Sequence, residues 1–73
     1  MKGISEKIKI LLLKRKMSQT ELANKLNMSM QNLNNKLRRD SFDYDELQKI
    51  ADILNAKYSF KQWFIMNDTG EEI

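Results

Sequence analysis

The sequence predicts a mainly α-helical domain of four to five helices that ends in a C-terminal β-strand or hairpin. Proline is absent and glycine occurs only at positions 3 and 70, so the usual helix breakers are missing from the interior of the chain. Apolar residues recur at helical spacing up to position 54, whereas residues 57–66 are rich in aromatic and β-branched types that favour strands. We therefore divide the chain into a helical domain over residues 1–56 and an aromatic tail over residues 57–73.

The composition excludes several functional classes. The chain has 73 residues and contains neither cysteine nor histidine, so we expect no metal, no cofactor and no enzymatic activity. The longest apolar run, residues 10–13, is far shorter than the roughly 20 residues of a membrane span. No signal-peptide pattern is visible at the N-terminus, and these features favour a cytoplasmic protein without a membrane partner.

The first helix is predicted over residues 4–16. Its inner face consists of residues at the i, i+4, i+7, i+8 and i+11 positions, namely Ile4, Ile8, Leu11, Leu12 and Arg15. Ile10 and Leu13 are expected to widen this apolar face, and lysines occupy the rest of the surface. The basic last turn favours a helix end there, because cations stabilise the negative end of the helix dipole.

Two capping boxes predict the starts of the second and fourth helices. Ser18 is followed three residues later by Glu21, and Asp43 is followed in the same way by Glu46. In each pair, the side chain of one residue can satisfy the free backbone amide of the other. The second helix is expected to end near Asn27, because asparagine tolerates the left-handed conformation found at helix ends.

The third and fourth helices carry their apolar residues on one side. The third is expected to start after the N-cap Ser29 and to reach about residue 38, with Leu33 and Leu37 pointing inward and amides outward. In the fourth helix the inward residues have the i, i+3, i+4, i+7 spacing and are Leu47, Ile50, Ala51 and Leu54. Asn55 is the expected terminator.

The tail is predicted to be a strand over residues 57–66, and a helix over residues 60–66 is the alternative. One face of that strand would carry Tyr58, Phe60, Gln62, Phe64 and Met66. Residues 67–70 indicate a turn, after which residues 71–73 can return as a short second strand. Because one core cannot easily cover both faces of such a strand, we expect the tail to form a two-fold homodimer contact. The alternative is a monomer whose tail folds back on its own helices.

Charge is distributed unevenly along the chain. Ten basic and two acidic residues precede Asp40, which gives that half a net charge of +8. From Asp40 onward, three basic and eight acidic residues give a net charge of −5. This asymmetry is typical of a chain whose basic half binds a polyanion. A chain without such a partner, with two oppositely charged surfaces in contact with solvent, would show the same distribution.

The second and third helices have the spacing of a helix-turn-helix unit. Ala23 stands where the two helices must cross closely, and Met28 and Leu33 are expected to pack beneath the turn. Residues 18–23 (SQTELA) and 29–37 (SMQNLNNKL) resemble the lambda-repressor-like helix-turn-helix family of Cro and the phage repressors. With the flanking helices, the resemblance covers about residues 4–55. The family usually has glycine where this chain has Asn27, and Leu37 stands one place later than the family's last packing residue.

The resemblance implies that the third helix enters the major groove of double-stranded DNA. Glutamine and asparagine can each pair bidentately with adenine, and methionine can contact the thymine methyl group. The expected base contacts are Met30, Gln31, Asn32 and Asn35. The expected contacts to the DNA backbone are Gln19, Ser29, Asn34, Lys36, Arg38 and Arg39, of which Gln19 matches the family's phosphate-binding glutamine. Met30 could instead belong to the core, and the asparagines could be ordinary solvated surface.

The resulting prediction is a sequence-specific transcriptional regulator of the Cro/C1 type. It would act as a repressor, as a homodimer on an inverted-repeat operator, and would associate with the nucleoid when bound. The alternative is a protein-interaction module on the same fold, such as an antitoxin or an adaptor, that uses the aromatic tail and the acidic fourth helix. The basic residues beside the amide face argue against this alternative. A membrane-surface role for the first helix is disfavoured, because its apolar face is needed to cover the second and fourth helices.

Overall fold

The computed structural model describes residues 3–59 and 63–73 of the chain. Within these residues the elements, in chain order, are α1 (Ile4–Arg15), α2 (Gln19–Lys25), α3 (Met30–Arg39), α4 (Tyr44–Ile53), β1 (Ala56–Ser59) and β2 (Trp63–Met66). The two strands form an antiparallel sheet. The predicted fold class, a mainly helical domain with a C-terminal hairpin, is confirmed.

The caps predicted from the sequence are present at the starts of three helices. The Ser18 hydroxyl accepts a hydrogen bond from the Glu21 amide at 3.1 Å, and the Glu21 carboxylate accepts one from the Ser18 amide at 3.3 Å. The same reciprocal pair forms at the start of α4, and the N-cap hydroxyl at the start of α3 accepts one hydrogen bond. Asn27 and Asn55 both adopt the left-handed conformation, with φ of 57° and 54°, as expected of residues that end helices.

Ser18→Ala should lower the free energy of unfolding by about 1 kcal/mol, because the amide of Glu21 loses its side-chain acceptor. The measurement is urea denaturation followed by circular dichroism at 222 nm. Ser41→Ala is the matched control, since Ser41 is exposed and lies outside the helices. Equal midpoints for the two variants would contradict a stabilising role of the cap.

The start of α1 is held by a residue that is distant in sequence. Gly3 is the N-cap and has no side chain, and the Asp40 carboxylate accepts the hydrogen bond of the Ser5 amide at 2.8 Å instead. The Ser5 hydroxyl donates to the carbonyl oxygen of Leu37 at 2.6 Å. A side chain at position 3 would collide with the Asp40 carboxylate. The beginning of α1 is therefore fastened to the end of α3, and the hydrogen bonds from Ser5 lower the pKa of Asp40.

One apolar core joins the helices to the hairpin. Its fully buried larger side chains are Ile8, Leu11, Leu22, Leu33, Ile50, Leu54 and Phe64. Leu13 is 78% exposed, so the expectation that it widens the apolar face of α1 is wrong. The reason is geometric, because a residue two positions from the buried Leu11 lies about 200° away around the helix. Ile10 lies between these extremes and is half-buried.

The hairpin replaces the single strand predicted for residues 57–66. Ala56 pairs with Met66 and Ser59 pairs with Trp63, so these residues form two antiparallel strands. The alternative of a helix is wrong for Trp63–Met66, and positions 60–62 of the prediction lie outside the described residues. Backbone pairing explains the difference, because a lone strand would leave its N–H and C=O groups without partners.

The predicted turn is confirmed, and residues 71–73 return beside β2 through a single bridge and not as the predicted short strand. Gly70 has φ of 74°, and its amide donates to the Met66 carbonyl oxygen at 2.8 Å. The chain then returns beside β2, where the Ile73 amide donates to the Phe64 carbonyl oxygen at 2.9 Å and Ile65 forms a bridge with Glu72. β2 thus has hydrogen-bonded neighbours on both edges.

The hairpin packs on the helices of its own chain. Ala56, Phe64 and Met66 are buried in the core, and the strands contact α4 and α1. Arg15 links α1 to the end of α4 and to the turn after β2. It donates to the Leu54 carbonyl oxygen at 2.7 Å and pairs bidentately with Asp68 at 2.8 Å. The side-chain hydrogen bonds from Arg15 lower the pKa of Asp68 to about 2.

Candidate nucleic-acid interface

The turn between α2 and α3 places the two helices as a helix-turn-helix unit. The Met28 amide donates to the Ala23 carbonyl oxygen at 3.0 Å, which folds the chain tightly around the left-handed Asn27. Ala23 is only 1% exposed, as expected where two helices approach closely. Met28 is half-buried against the core and Leu33 is fully buried, so both pack where the sequence predicted.

The two faces of α3 differ sharply in chemistry. Leu33 and Leu37 are buried and fix the rotation of the helix, which leaves its opposite face to solvent. That opposite face, which we call the amide face, consists of Gln31, Asn32 and Asn35, of which the first two are exposed and the third half-buried. A helix with exposed amide side chains of this kind can enter the major groove of DNA, where the amides can hydrogen-bond to base edges.

Met30 differs from the other predicted base contacts because it is partly buried against the core. The Thr20 hydroxyl on α2 lies 3.8 Å from its sulfur. The Met30 side chain therefore packs partly against the core and is partly exposed to solvent at the start of α3. Its contact with a thymine methyl group stays a prediction.

The start of α3 supplies a further polar group. The Ser29 hydroxyl oxygen accepts a hydrogen bond from the Asn32 amide at 3.1 Å, as an N-cap does. Ser29 is exposed, and its O–H is still a donor because the cap uses only the lone pairs of the oxygen. A phosphate oxygen could accept that hydrogen bond.

A polar cleft lies between α1, the start of α2 and the exposed side of α3. Its lining includes Lys9, Gln19, Asn34 and Arg38, so two cations and two amides converge on one place. These are the groups that bind phosphate oxygens in protein–DNA contacts. Gln19 and Asn34 are predicted backbone contacts, and both line this cleft; their contact with DNA stays a prediction.

Lys9 is the member of this cleft that sequence reasoning did not single out. Its place on the basic face of α1 is visible in the sequence, but that face carries several lysines. Which lysine borders α3 depends on how α1 packs against it, and no local pattern encodes that packing. The spacing from the buried Ile8 and Leu12 indicates which lysines lie on the outer side of α1, but it does not show which of them borders α3.

The basic residues at the end of α3 have different surroundings. The Lys36 ammonium forms an ion pair with the Glu46 carboxylate of α4 at 2.9 Å. Its positive charge is therefore balanced by a residue of the protein itself. The Arg38 guanidinium donates to the Asn35 side-chain oxygen at 2.6 Å. Arg39 is exposed beside them. Arg38 and Arg39 thus keep a positive charge at the edge of the amide face, whereas the charge of Lys36 is paired with Glu46.

Two other site classes have no representative in the described parts of the chain. Residues 3–59 and 63–73 contain no cluster of three or more acidic side chains that could hold a metal ion. Over the same residues, every helix is too short or too polar to cross a membrane.

Comparison with known families agrees with this geometry. The family described as the Cro/C1-type HTH DNA-binding domain matches residues 7–59, a segment that contains α2, α3, α4 and most of α1. No curated protein and no solved structure matches the chain significantly. The match covers well over half of the chain and includes both helices of the helix-turn-helix unit. The chain belongs to the family of Cro/C1-type helix-turn-helix DNA-binding domains.

Proposed function

We propose that the protein is a sequence-specific transcriptional regulator that acts as a repressor by occupying an operator. The observation that carries this proposal is the amide face of α3, exposed beside the guanidinium groups of Arg38 and Arg39. Amides supply base discrimination in the major groove, and cations supply the affinity for the phosphate backbone. A helix built only for solubility would not need both on one exposed face.

Within this proposal the side chains divide into two groups. Gln31 and Asn32 read base edges, Asn35 lies one turn further along the same face, and Met30 contacts the groove from its half-buried position. Phosphates are bound by groups around that face, namely Lys9, Gln19, Ser29, Asn34, Lys36, Arg38 and Arg39. This division predicts that the first group sets sequence preference and that the second sets affinity for any DNA.

Lys9→Ala should weaken binding to all duplexes alike, because the polar cleft loses one of its two cations. The slope of log affinity against log salt concentration should become shallower by about one unit, the value for one phosphate contact. The measurement is a titration of labelled duplex by fluorescence anisotropy over a range of salt concentrations.

Lys49→Ala is the matched control for this charge change. Lys49 is exposed on α4 and does not line the cleft, so its removal should leave the salt slope unchanged. Equal slopes for the parent and Lys9→Ala would exclude a phosphate contact at Lys9. A parent protein whose binding to DNA is weak and independent of salt would instead support the alternative of a protein-interaction module.

We also propose that two copies form a two-fold dimer through the hairpin. Phe64 and Met66 face the protein's own core, but Ile65 on the opposite face of β2 remains half-buried at the surface. A dimer through this face would place two α3 helices on one side of the DNA, roughly 34 Å apart, and would read an inverted repeat.

Ile65→Lys tests the dimer without removing a fully buried core residue. The parent should sediment as a dimer at tens of micromolar, and the variant should sediment as a monomer with an unchanged helical spectrum, because two charges would face each other across the axis. A monomeric parent, or a variant that still dimerises, would show that this face is not the interface.

A further inference from the structure

Two side chains on the outer side of α3 are joined in the free protein. Nη2 of Arg38 donates a hydrogen bond to Oδ1 of Asn35 at 2.6 Å, across the i, i+3 spacing of the helix. The identity of the amide atom follows from chemistry, since a guanidinium has only donors and the atom that it contacts must be the acceptor oxygen. Arg38 is exposed, so the pair lies at the surface that faces DNA in the proposed function.

This hydrogen bond changes what Asn35 can recognise. An asparagine reads adenine by donating to N7 and accepting from the N6 amino group, which requires a lone pair of the amide oxygen. Here one of the two lone pairs of that oxygen accepts from Arg38, and the guanidinium adds further N–H donors beside it. The N6 amino group of adenine would have to approach the second lone pair next to these donors.

Most of the groups that remain at the pair are donors, and the only acceptor is the second lone pair of Oδ1 of Asn35. The amide nitrogen of Asn35 keeps two N–H groups, and the guanidinium of Arg38 keeps its N–H groups outside the hydrogen bond. In the major groove, guanine presents two adjacent acceptors, O6 and N7, thymine presents the single acceptor O4 beside its methyl group, and adenine and cytosine present an amino donor. A surface on which several donors outnumber one acceptor is therefore most complementary to guanine.

We propose that Asn35 and Arg38 act as one unit that reads a guanine in the major groove. The proposal rests on the proposed DNA-binding function and names the base that this part of the site selects. It moves Arg38 from the phosphate contacts, where sequence reasoning placed it, to the base contacts. It also assigns Asn35 a different base from the adenine that an isolated asparagine would select.

The position of the pair on α3 supports this assignment. Asn35 lies one turn after Gln31, so both belong to the amide face opposite the buried Leu33 and Leu37. Arg38 also borders the polar cleft, where a phosphate would bind. The hydrogen bond to Asn35 holds Nη2 of the guanidinium at the amide face, while Lys9 and Arg38 both line the cleft.

The test is a competition experiment with a duplex that the protein prefers. Each position of that duplex carries each of the four base pairs in turn, and the affinities of the four versions are compared. The parent should prefer guanine at one position by on the order of ten- to a hundredfold. Arg38→Ala should lose that preference and shift it towards adenine, because the guanidinium donors beside the Asn35 oxygen are removed. Asn35→Ala should weaken the guanine preference at the same position, and the double variant should lose no more of it than Arg38→Ala alone.

Arg38→Lys separates base reading from charge. It keeps the positive charge and should retain much of the general affinity, but it should not restore the full guanine preference, because an ammonium cannot hold the planar geometry of the pair. Circular dichroism should show parent-like folding for all variants, since Arg38 is exposed and Asn35 is half-buried.

Three outcomes would overturn the proposal. Arg38→Ala could weaken all four versions equally, which would return Arg38 to the phosphate contacts. The parent could prefer adenine at a position that Asn35→Ala erases, which would make Asn35 an independent reader. A parent without preference at any position would overturn both this proposal and the proposed function, whereas the first two outcomes leave the proposed function intact.

Discussion

Phe64→Ala should lower the free energy of unfolding by about 3–5 kcal/mol, because it empties a fully buried site in the core. Phe64 lies on β2, in the tail, yet it contacts the same core as the helices and its ring lies 5.4 Å from that of Tyr58. Small domains are stable by only about 5–15 kcal/mol, so the variant should be largely unfolded at modest urea concentration. Denaturation by urea, followed by circular dichroism, measures the loss.

The matched control is Ile65→Ala, because Ile65 neighbours Phe64 on the same strand but is only half-buried on the opposite face. It should cost much less than Phe64→Ala. A chain that ends at residue 56 should behave like Phe64→Ala and lose its helical spectrum, since it lacks Phe64, Met66 and the Asp68 partner of Arg15. A stable, helical 1–56 fragment would show that the hairpin is an appendage and not part of the core.

Gln31→Ala should weaken binding to a preferred duplex by about 1–3 kcal/mol and relax discrimination at one base position, because a bidentate amide–base pair contributes that much. Binding to unrelated duplexes should hardly change, since an uncharged amide adds little to backbone affinity. The measurement is competitive titration of the preferred duplex against its single-base variants.

Gln48→Ala removes the same kind of side chain from a different surface and serves as the control. Gln48 lies on α4, where its amide donates to the Tyr44 hydroxyl at 2.8 Å. We expect this variant to keep the full sequence preference of the parent. If Gln31→Ala also kept it, the amide face would not be the reading surface.

Local features of the sequence were sufficient to predict where α2, α3 and α4 begin. The Ser18 and Asp43 capping boxes and the left-handed Asn27 involve residues three or four positions apart, and each formed as predicted. The inward rows of leucine and isoleucine on α3 and α4 also followed from spacing alone. Leu13 shows the limit of that reasoning, because a hydrophobic residue does not have to be buried.

Contacts between distant segments could not be predicted in the same way. Asp40 completes the N-terminus of α1 from 35 positions away, and Arg15 reaches Asp68 across 53 positions. Lys9 joins the polar cleft only because α1 packs beside α3. Nothing in the neighbouring sequence of these residues encodes their partners, which are fixed by the way in which the whole core assembles.

The pairing within the tail was predicted only in part. The composition indicated β-structure, and the turn at residues 67–70 was visible from its residue types. Strand pairing, however, depends on which segments meet, and β2 lies between β1 and the returning C-terminus. Phe64, one of the apolar residues that favoured an intermolecular contact in the sequence, is buried with Met66 in the protein's own core.

The central claim is that α3 reads the sequence of DNA through its amide face. Selection of bound duplexes from a random pool, carried out in parallel with the parent and with Gln31→Ala, tests it most directly. We expect the parent to enrich a short motif, repeated in inverted orientation, and the variant to enrich the same motif with one base position per half-site relaxed. A parent pool that stays random, or an identical motif from both proteins, would contradict the account.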